Sequence, residues 1–184
     1  MKKVVTVHLA EGFEEIEAVS IIDVLRRAGL DVRIVSVTGQ LDVTGSHGIR
    51  ILSDVLFEDV DYGLVDLIIL PGGMPGATHL KNHAGLQEQM KKFYRQGKLL
   101  GAICAAPLVF GHLGILRGHK ATCYPGYEDQ LRGATVAGTD IEVSGNIITG
   151  KGVGVAVLFA LKIVEIFKGE KFAGELAEKM IVRG

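Results

Sequence analysis

Cysteine is scarce in this sequence, which carries two thiols, Cys104 and Cys123, among 184 residues. A small secreted fold held together by disulfides needs several cysteine pairs, so that class is excluded and a reducing, cytoplasmic location is expected. Long apolar runs are also lacking: the first run, residues 4–9, is short and is soon followed by Glu11. Neither a signal sequence nor a membrane span is therefore predicted.

An excess of charge of either sign is missing as well. The chain has 20 basic and 21 acidic residues, a net charge of −1, which argues against nucleic acid or a membrane surface as its main partner. It shows no internal repeat, linker or low-complexity tract. Its length fits one domain, and we predict a single domain over residues 1–184.

Strands and helices alternate from the start of the chain. A strand over 3–9, a helix over 14–28 that ends at Gly29, and a strand over 31–37 form a βαβ unit. This opening predicts an α/β fold with a mostly parallel sheet and helices on both faces.

The remaining pattern is consistent with that class. We predict a hairpin at the sheet edge over 43–51, strands over 65–70 and 99–103, helices over 80–95 and 105–113, short strands over 120–123, 135–136, 141–143 and 147–149, and helices over 155–167 and 170–180.

The segment 99–107 contains the strongest candidate for chemistry. An apolar strand turns into a helix at Cys104, and the neighbours of this cysteine, including Gly101 and Ala105, are small. This pattern is typical of a nucleophile elbow with sulfur in place of a hydroxyl. A thiol at a helix N-terminus is expected to have a lowered pKa. The alternative is a buried structural cysteine.

Ligands of an open α/β sheet bind at the carboxyl ends of its strands, so the loops after Leu9, Leu70, Ile103 and Thr149 should converge. Glu17 lies near the inward row of the first helix and can reach this crevice. A partly buried carboxyl beside a thiolate would have a raised pKa and could act as proton donor and then base. For Glu11, Glu14 and Glu15 we expect instead the ordinary placement of acidic residues at a helix N-terminus.

Two glycine-rich turns border the same crevice. The turn over 71–76 lacks the Lys-Ser/Thr of a phosphate-binding loop, and we predict that the amides of Gly73 and Ala105 form an oxyanion hole. The turn over 150–154 does not match the dinucleotide fingerprint. It is expected to serve close packing, with Gly152 in contact with substrate. No cofactor is predicted.

Histidines are absent after His119. A glutamine amidotransferase of this fold needs a late histidine, so that class is disfavoured. An intracellular cysteine protease of the PfpI sort would carry histidine where this chain has Ala105. His79 and His83 lack a third ligand, and surface histidines are the preferred interpretation over a metal site. Cys123 is interpreted as a buried small residue or, alternatively, as a resolving thiol.

Several segments together resemble the DJ-1 (ThiJ/PfpI) superfamily, in the branch of the Parkinson's-associated protein and bacterial YajL. The segments are 10–17 (AEGFEEIE), 26–29 (RRAG), 70–73 (LPGG), 102–107 (AICAAP), 121–125 (ATCYP) and 149–154 (TGKGVG). The resemblance covers nearly the whole chain.

The resemblance implies a flavodoxin-like three-layer sandwich, a homodimer, and a reactive Cys104 whose thiolate or sulfinate accepts a hydrogen bond from protonated Glu17. It also implies a pocket for substrate or for the dimer partner, and its candidate residues are Arg27, His47, Gly72, Tyr124 and Gly152. Tyr124 stands where relatives often have a histidine, and His47 stands where they have an arginine from the dimer partner.

The activity implied is that of a cofactor-free glyoxalase or protein deglycase, with a role in carbonyl and oxidative stress. Its substrates would be methylglyoxal, glyoxal, or the glycated proteins and nucleotides they form. Cys104 would add to the carbonyl and Glu17 would move a proton through an enediol to give lactate. The alternative is a redox-sensing holdase chaperone that works through oxidation of Cys104. A cysteine protease is the weakest alternative.

Overall fold

The structure, a computed structural model, describes residues 2–182. The strands are β1 (Val4–Leu9), β2 (Asp31–Ser36), β3 (Asp42–Thr44), β4 (Arg50–Leu52), β5 (Val55–Leu56), β6 (Leu67–Leu70), β7 (Leu99–Ile103), β8 (Lys120–Ala121), β9 (Thr135–Val136), β10 (Ile141–Ser144) and β11 (Ile147–Gly150). The α-helices are α1 (Glu15–Arg27), α2 (Gly76–Asn82), α3 (Ala84–Arg95), α4 (Pro107–His112), α5 (Ala156–Lys168) and α6 (Glu170–Lys179).

Seven strands form the central sheet in the order β10-β11-β7-β6-β1-β2-β5. The pairs are parallel except β10 with β11, which is antiparallel. Strand β6 lies between β1 and β7 and is buried along its whole length. A strand covered on both faces needs apolar side chains throughout, which explains its sequence Leu-Ile-Ile-Leu.

Helices cover both faces of this sheet. Helices α1, α5 and α6 pack on one face, where Val5, Val7 and Leu9 of β1 join the core. Helices α2, α3 and α4 pack on the other face. The fold is therefore a flavodoxin-like three-layer α/β sandwich, and the predicted class is confirmed.

The predicted hairpin forms, but as a separate two-stranded sheet of β3 and β4. The edge of the main sheet is taken by β5, which the sequence did not predict. The hairpin is bonded instead to the loop before α1: Gly12 N–H donates to the Thr44 carbonyl and Ser46 N–H to the Phe13 carbonyl, both at 2.8 Å. It thus lies beside the start of α1.

The single helix predicted over 80–95 is wrong, because the chain is extended at His83 between α2 and α3. The His83 ring accepts a hydrogen bond from Leu86 N–H at 3.0 Å and so caps α3. The same ring packs edge-on against Phe57, with 4.5 Å between centroids. Local capping and a distant aromatic contact thus outweigh the helical periodicity.

The longest helices within residues 2–182 have 13 residues, whereas a membrane span takes about 20. Among the described elements, no helix has the length and apolarity to cross a bilayer.

Candidate active site

Cys104 lies at the carboxyl end of β7 in the left-handed backbone region, with φ of 64°. A non-glycine residue pays about 1–3 kcal/mol for such a conformation and keeps it when its surroundings fix it. Here the Cys104 N–H donates to the Gly150 carbonyl at 2.9 Å, and its carbonyl accepts from Tyr124 N–H at 2.8 Å. The elbow predicted from the sequence is thus a strained turn bonded on both sides.

Glu17 reaches the elbow from the first turn of α1, and its side chain is fully buried. Its Oε2 accepts a hydrogen bond from Gly72 N–H at 2.7 Å, and its carboxyl lies against the Cys104 thiol. Glu14 holds the start of the helix, because its carboxylate accepts from Glu17 N–H at 2.6 Å and its own N–H donates to the Gly72 carbonyl. The carboxyl is thereby positioned by α1 and by the end of β6.

Burial raises the pKa of Glu17 to about 7, against the hydrogen bond from Gly72 and the neighbouring Cys104 thiol, which lower it. A carboxyl in this range exchanges its proton near neutral pH. The raised pKa agrees with the expectation from the sequence.

The expected lowering of the Cys104 pKa is not found. Burial and the charge of ionised Glu17 raise the pKa of Cys104 to about 12, while the amides of Ala105 and Gly73 lower it. The sequence predicts the thiol at a helix N-terminus, but α4 begins three residues after Cys104, at Pro107, and is only six residues long. The two backbone amides, rather than the helix, face the sulfur, and the thiol and carboxyl titrate as a coupled pair.

Gly72 and Gly73 leave room for this pair. A Cβ built on Gly72 would lie 2.6 Å from Cys104 Cβ and 2.8 Å from Glu17 Oε2. Gly73 has φ of 91°, and a Cβ there would collide with the backbone of Glu14. Any side chain at either position would separate the groups that the turn brings together.

Replacing Gly72 by alanine should therefore destabilise the fold by about 1–3 kcal/mol, the usual range for overpacking a filled site. Thermal unfolding followed by circular dichroism measures the loss as a lower Tm. Gly174→Ala is the matched control, because a Cβ there has no neighbour within 4 Å and alanine favours the interior of α6. A Gly72→Ala protein as stable as wild type would show that the site is not close-packed.

His47 and Glu15 form a second polar contact at the start of α1. Glu15 is 3% exposed, and its carboxylate accepts hydrogen bonds from the His47 amide at 2.6 Å and the His47 ring at 2.8 Å. Burial alone raises the pKa of Glu15, but these bonds and one from the Ile49 amide lower it to about 2. The carboxylate in turn raises the pKa of His47.

Glu15 thus does more than the helix N-terminal role expected for it, since it anchors the β3–β4 hairpin to α1. Glu15 and His47 are 32 residues apart in the sequence, so a local sequence pattern cannot predict this contact. Within residues 2–182, Glu14, Glu15 and His47 are the one group of possible metal ligands whose atoms lie within 4.8 Å of one another. Both oxygens of Glu15 are already hydrogen-bonded to the hairpin.

Two other predicted pocket residues, Tyr124 and Gly152, adjoin each other near the elbow. A Cβ on Gly152 would lie 3.3 Å from the Tyr124 ring, and Tyr124 is bonded to Cys104 through its backbone. Arg27 is not near this pocket. It pairs with Asp23 on the exposed surface, ten residues after Glu17 along α1, which is about 15 Å of helix.

The other thiol and the remaining histidines lie apart from this pair. Cys123 is 5% exposed, and burial raises its pKa to about 11, which favours a buried small residue over a resolving thiol. His79 is bonded to the Glu11 carbonyl. Among the hydrogen bonds of residues 2–182, none joins an imidazole to Cys104, so a Cys–His dyad has no support there.

Fold and site together define a class of protein: a three-layer α/β sandwich with a cysteine on a strained strand–helix turn and a buried carboxyl from the first helix beside it. The model of the DJ-1/PfpI family matches residues 2–166. The chain belongs to the DJ-1/PfpI family.

Individual relatives agree with this assignment. Protein DJ-1 homolog B of Arabidopsis thaliana is 42% identical over 183 residues, which cover 98% of this chain and 42% of that protein. The glutathione-independent glyoxalase DJR-1.2 of Caenorhabditis elegans is 36% identical over 172 residues, 92% of this chain and 91% of that protein. The solved structure of oxidized Toxoplasma gondii DJ-1 has a TM-score of 0.93 and 39% identity, covering 97% of this chain and 98% of that one.

The chain spans about half the length of the two Arabidopsis proteins it matches, homologs A and B. It spans nearly the full length of protein dj-1beta of Drosophila melanogaster, with 35% identity over 184 residues, 99% of this chain and 98% of that protein.

Proposed function

We propose that the protein is a cofactor-free, cysteine-dependent glyoxalase or deglycase that acts on methylglyoxal, glyoxal or their adducts. The observation that carries this proposal is the contact between the buried Glu17 carboxyl and Cys104, with the amides of Gly73 and Ala105 also facing the sulfur. The name of the C. elegans relative, a glutathione-independent glyoxalase, supports the same reaction class. A role in carbonyl and oxidative stress follows from such substrates.

The thiol and the carboxyl share one proton in this proposal. While Glu17 is ionised, its charge holds the Cys104 pKa high. When the proton moves to Glu17, that repulsion disappears, and the amides of Gly73 and Ala105 stabilise the thiolate. The reactive form of the pair is a Cys104 thiolate beside a neutral Glu17.

In the first step the thiolate adds to the aldehyde carbon of methylglyoxal. A carbon–sulfur bond forms, and the carbonyl electron pair moves to oxygen, which the amides of Gly73 and Ala105 stabilise. Glu17 donates its proton to this oxygen and becomes a carboxylate. The same group is thereby ready to act as a base.

In the second step Glu17 removes the proton from the former aldehyde carbon, giving an enediolate, and the hydroxyl proton on that carbon's oxygen passes to the former ketone oxygen. Glu17 then returns its proton to the neighbouring carbon, which leaves a thioester carbonyl on the carbon bound to sulfur. The resulting thioester is hydrolysed by water to lactate, which releases the Cys104 thiol. One carbon is oxidised and its neighbour reduced within the same molecule, so the sum is methylglyoxal plus water to lactic acid. No outside oxidant or reductant is needed.

A redox-sensing role is the second candidate, and one observation favours it. The Cys104 sulfur is half-buried and faces two backbone donors, which would also hydrogen-bond the oxygens of a sulfinate. The solved Toxoplasma gondii relative is described as oxidized. A chaperone of this type would show little turnover.

Lactate formation from methylglyoxal in the absence of glutathione tests the enzymatic proposal. We expect multiple turnovers per chain, measured with a lactate-specific assay. Absence of turnover, together with peroxide-dependent suppression of client aggregation, would favour the redox sensor instead. Because Cys104 and Cys123 are both free thiols, we also propose that the protein works in a reducing, cytoplasmic compartment.

We further propose a homodimer formed through α1 and the hairpin. Ile16 and Val19 lie three residues apart on α1 and are 59% and 49% exposed, and Ile49 of the adjoining hairpin is 57% exposed. The Ile49 amide is bonded to Glu15, so the three side chains belong to one neighbourhood. Exposed apolar side chains on neighbouring segments favour this face as the interface.

Replacing Val19 by glutamate should convert a dimer into a monomer, because a charge at an apolar interface is buried without a partner. Sedimentation equilibrium should give twice the 19.7 kDa chain mass for wild type and the single mass for the variant. Leu64→Glu is the matched control, an exposed leucine in the loop before β6. A monomeric wild type, or a Val19→Glu protein that stays dimeric, would reject this interface.

A further inference from the structure

Positive charge is concentrated in one part of the chain. Residues 84–121 contain six lysines and arginines and one acidic residue, Glu88, which gives this segment a net charge of +5. The whole chain has a net charge of −1, so the rest of it carries −6. A separation of charge this large in a nearly neutral protein creates a local positive field, which attracts an acidic partner.

The cations of this segment are not paired with the carboxylates of the protein. Within residues 2–182, eight lysines and arginines lie within 4.0 Å of a carboxylate oxygen, and all eight lie outside 84–121. One cation of the segment is used by the backbone, since the Lys98 ammonium donates to the carbonyls of Tyr62, Gly63 and Val65. The other five are Lys91, Lys92, Arg95, Arg117 and Lys120.

These five cations come from two segments that contact each other, the end of α3 and the chain between α4 and β8. The Tyr94 hydroxyl of α3 lies 3.1 Å from Nε2 of His119, and the two rings pack edge-on with 5.8 Å between centroids. The three cations of α3 lie within one turn of Tyr94, and the other two lie within two residues of His119. The five cations therefore share one region of the surface, which we call the basic patch.

A hollow of about 390 Å³ lies within the basic patch, between the same two segments. Lys91 and Arg95, which lie four residues apart on one side of α3, line it together with Tyr94. The second segment contributes apolar side chains and a glycine: Leu113, Gly114 and Ile115. Cations on one side and apolar groups on the other favour a ligand in which acidic and apolar groups are neighbours.

The hollow lies away from Cys104, toward the amino ends of the strands. Helix α3 and its final turn lead into β7 at Leu99, whereas Cys104 follows the last residue of β7. The five residues of β7 span about 16 Å. A molecule bound in the hollow therefore leaves the surface near Cys104 free and is not a substrate of the proposed reaction.

The distribution of charge favours a protein segment over nucleic acid as the partner. A nucleic acid strand is negative along its whole length, so beyond the basic patch it would meet the net charge of −6 on the rest of the chain. An acidic protein segment can carry its charge at the patch alone. The aliphatic side chains of Leu113 and Ile115 also suit a leucine or phenylalanine better than a phosphate.

We propose that the basic patch and its hollow bind an acidic segment of another protein, with an apolar side chain in the hollow and carboxylates against Lys91 and Arg95. The cations increase the rate of association and fix the orientation of the segment, and the apolar contact slows its dissociation. This inference does not depend on the proposed glyoxalase reaction, because Cys104 and Glu17 take no part in it.

Fluorescence anisotropy with a fluorescein-labelled peptide of glutamate, with leucine at every third position, tests the inference. We expect wild type to bind this peptide, with a Kd that rises as NaCl is added. Lys91→Glu combined with Arg95→Glu should raise the Kd by at least about tenfold, because like charges then face each other. A wild type that does not bind the peptide would overturn the inference.

The matched control is Lys171→Glu combined with Lys179→Glu, which makes the same change in net charge on α6, at the other face of the sheet. Its Kd should stay within about twofold of wild type, since exposed charges at a distance are screened. An equal loss of binding in the two double variants would overturn the basic patch as the site. If the charge-reversed α3 variant does not fold, as judged by circular dichroism, Lys91→Gln combined with Arg95→Gln should still raise the Kd by about fivefold.

Two further probes test the chemistry of the partner. A peptide with serine in place of leucine should bind about tenfold more weakly or less, because the hollow then receives no apolar side chain. Equal binding of the two peptides would overturn the role of the hollow. A fluorescein-labelled uridine oligonucleotide with the same number of negative charges should bind more weakly than the leucine peptide. Tighter binding of the oligonucleotide would make nucleic acid the partner and overturn the inference.

Discussion

Replacing Cys104 by alanine should lower kcat/KM for methylglyoxal by at least about 10³-fold, since loss of a nucleophile removes the covalent route. Lactate release by purified wild type and variant, at equal concentration and without glutathione, measures the effect. The substitution removes a half-buried sulfur and leaves the backbone bonds of the elbow to Gly150 and Tyr124 in place. The variant should therefore fold.

Two further variants sharpen this result. Cys123→Ala removes the other thiol, which is buried and has a raised pKa, and should keep nearly full activity. Cys104→Gly should be more stable than Cys104→Ala by about 1 kcal/mol, because glycine adopts the left-handed region without steric cost. A Cys104→Ala protein within tenfold of wild type would mean that the sulfur is not the nucleophile.

Glu17→Gln is the second substitution with a large expected effect. Glutamine keeps the shape of the side chain, but it cannot donate a proton in one step and remove one in the next. We therefore expect kcat to fall by about 10²- to 10⁴-fold. Wild-type kcat/KM should rise with pH through about 7, where Glu17 and Cys104 together lose a proton. In the Glu17→Gln variant, kcat/KM should not show this rise near pH 7.

The same substitution has a signature in stability. The pKa of Glu17 is raised by folding from 4.5 to about 7, so the folded state binds the proton more tightly than the unfolded state. Titration of Glu17 leaves the free energy of unfolding unchanged below pH 4.5. As the pH rises from 4.5 to 7, this titration lowers the free energy of unfolding by about 3 kcal/mol in total. Glutamine does not titrate and avoids this loss.

Urea unfolding at pH 4.5 and pH 8 measures the difference. The stability of Glu17→Gln relative to wild type should increase by up to about 3 kcal/mol between the two values. Asp23→Asn on the exposed face of α1 is the control and should show little change, since exposed pairs contribute little. A relative stability that does not depend on pH would contradict the buried, proton-exchanging carboxyl.

Local pattern was sufficient for much of the fold and for the two central positions. The strand over 99–103 and the small residues after it predict the turn at Cys104, and helical spacing predicts that Glu17 points inward. These features depend on residues close in sequence, which a single chain displays directly. Most of the order of helices and strands follows for the same reason, although β5 and the break between α2 and α3 do not.

Features that depend on distant residues escaped prediction. The Glu15 carboxylate meets His47 across 32 residues, and His83 ends α2 partly through its contact with Phe57. The expected lowering of the Cys104 pKa is wrong, because the sequence indicates a helix N-terminus near the thiol but not the surroundings of the sulfur. Burial and the charge of Glu17, which raise this pKa, depend on the assembled site.

The turn at Cys104 is fastened to the main chain on both of its sides, and this determines when the site is assembled. In the proposed reaction the sulfur occupies its place before the substrate binds, so the donors and the acid are arranged around it by folding. Such a site is preorganised: a reactant has to fit the arrangement that folding provides, and the backbone of the turn need not change conformation in each catalytic cycle.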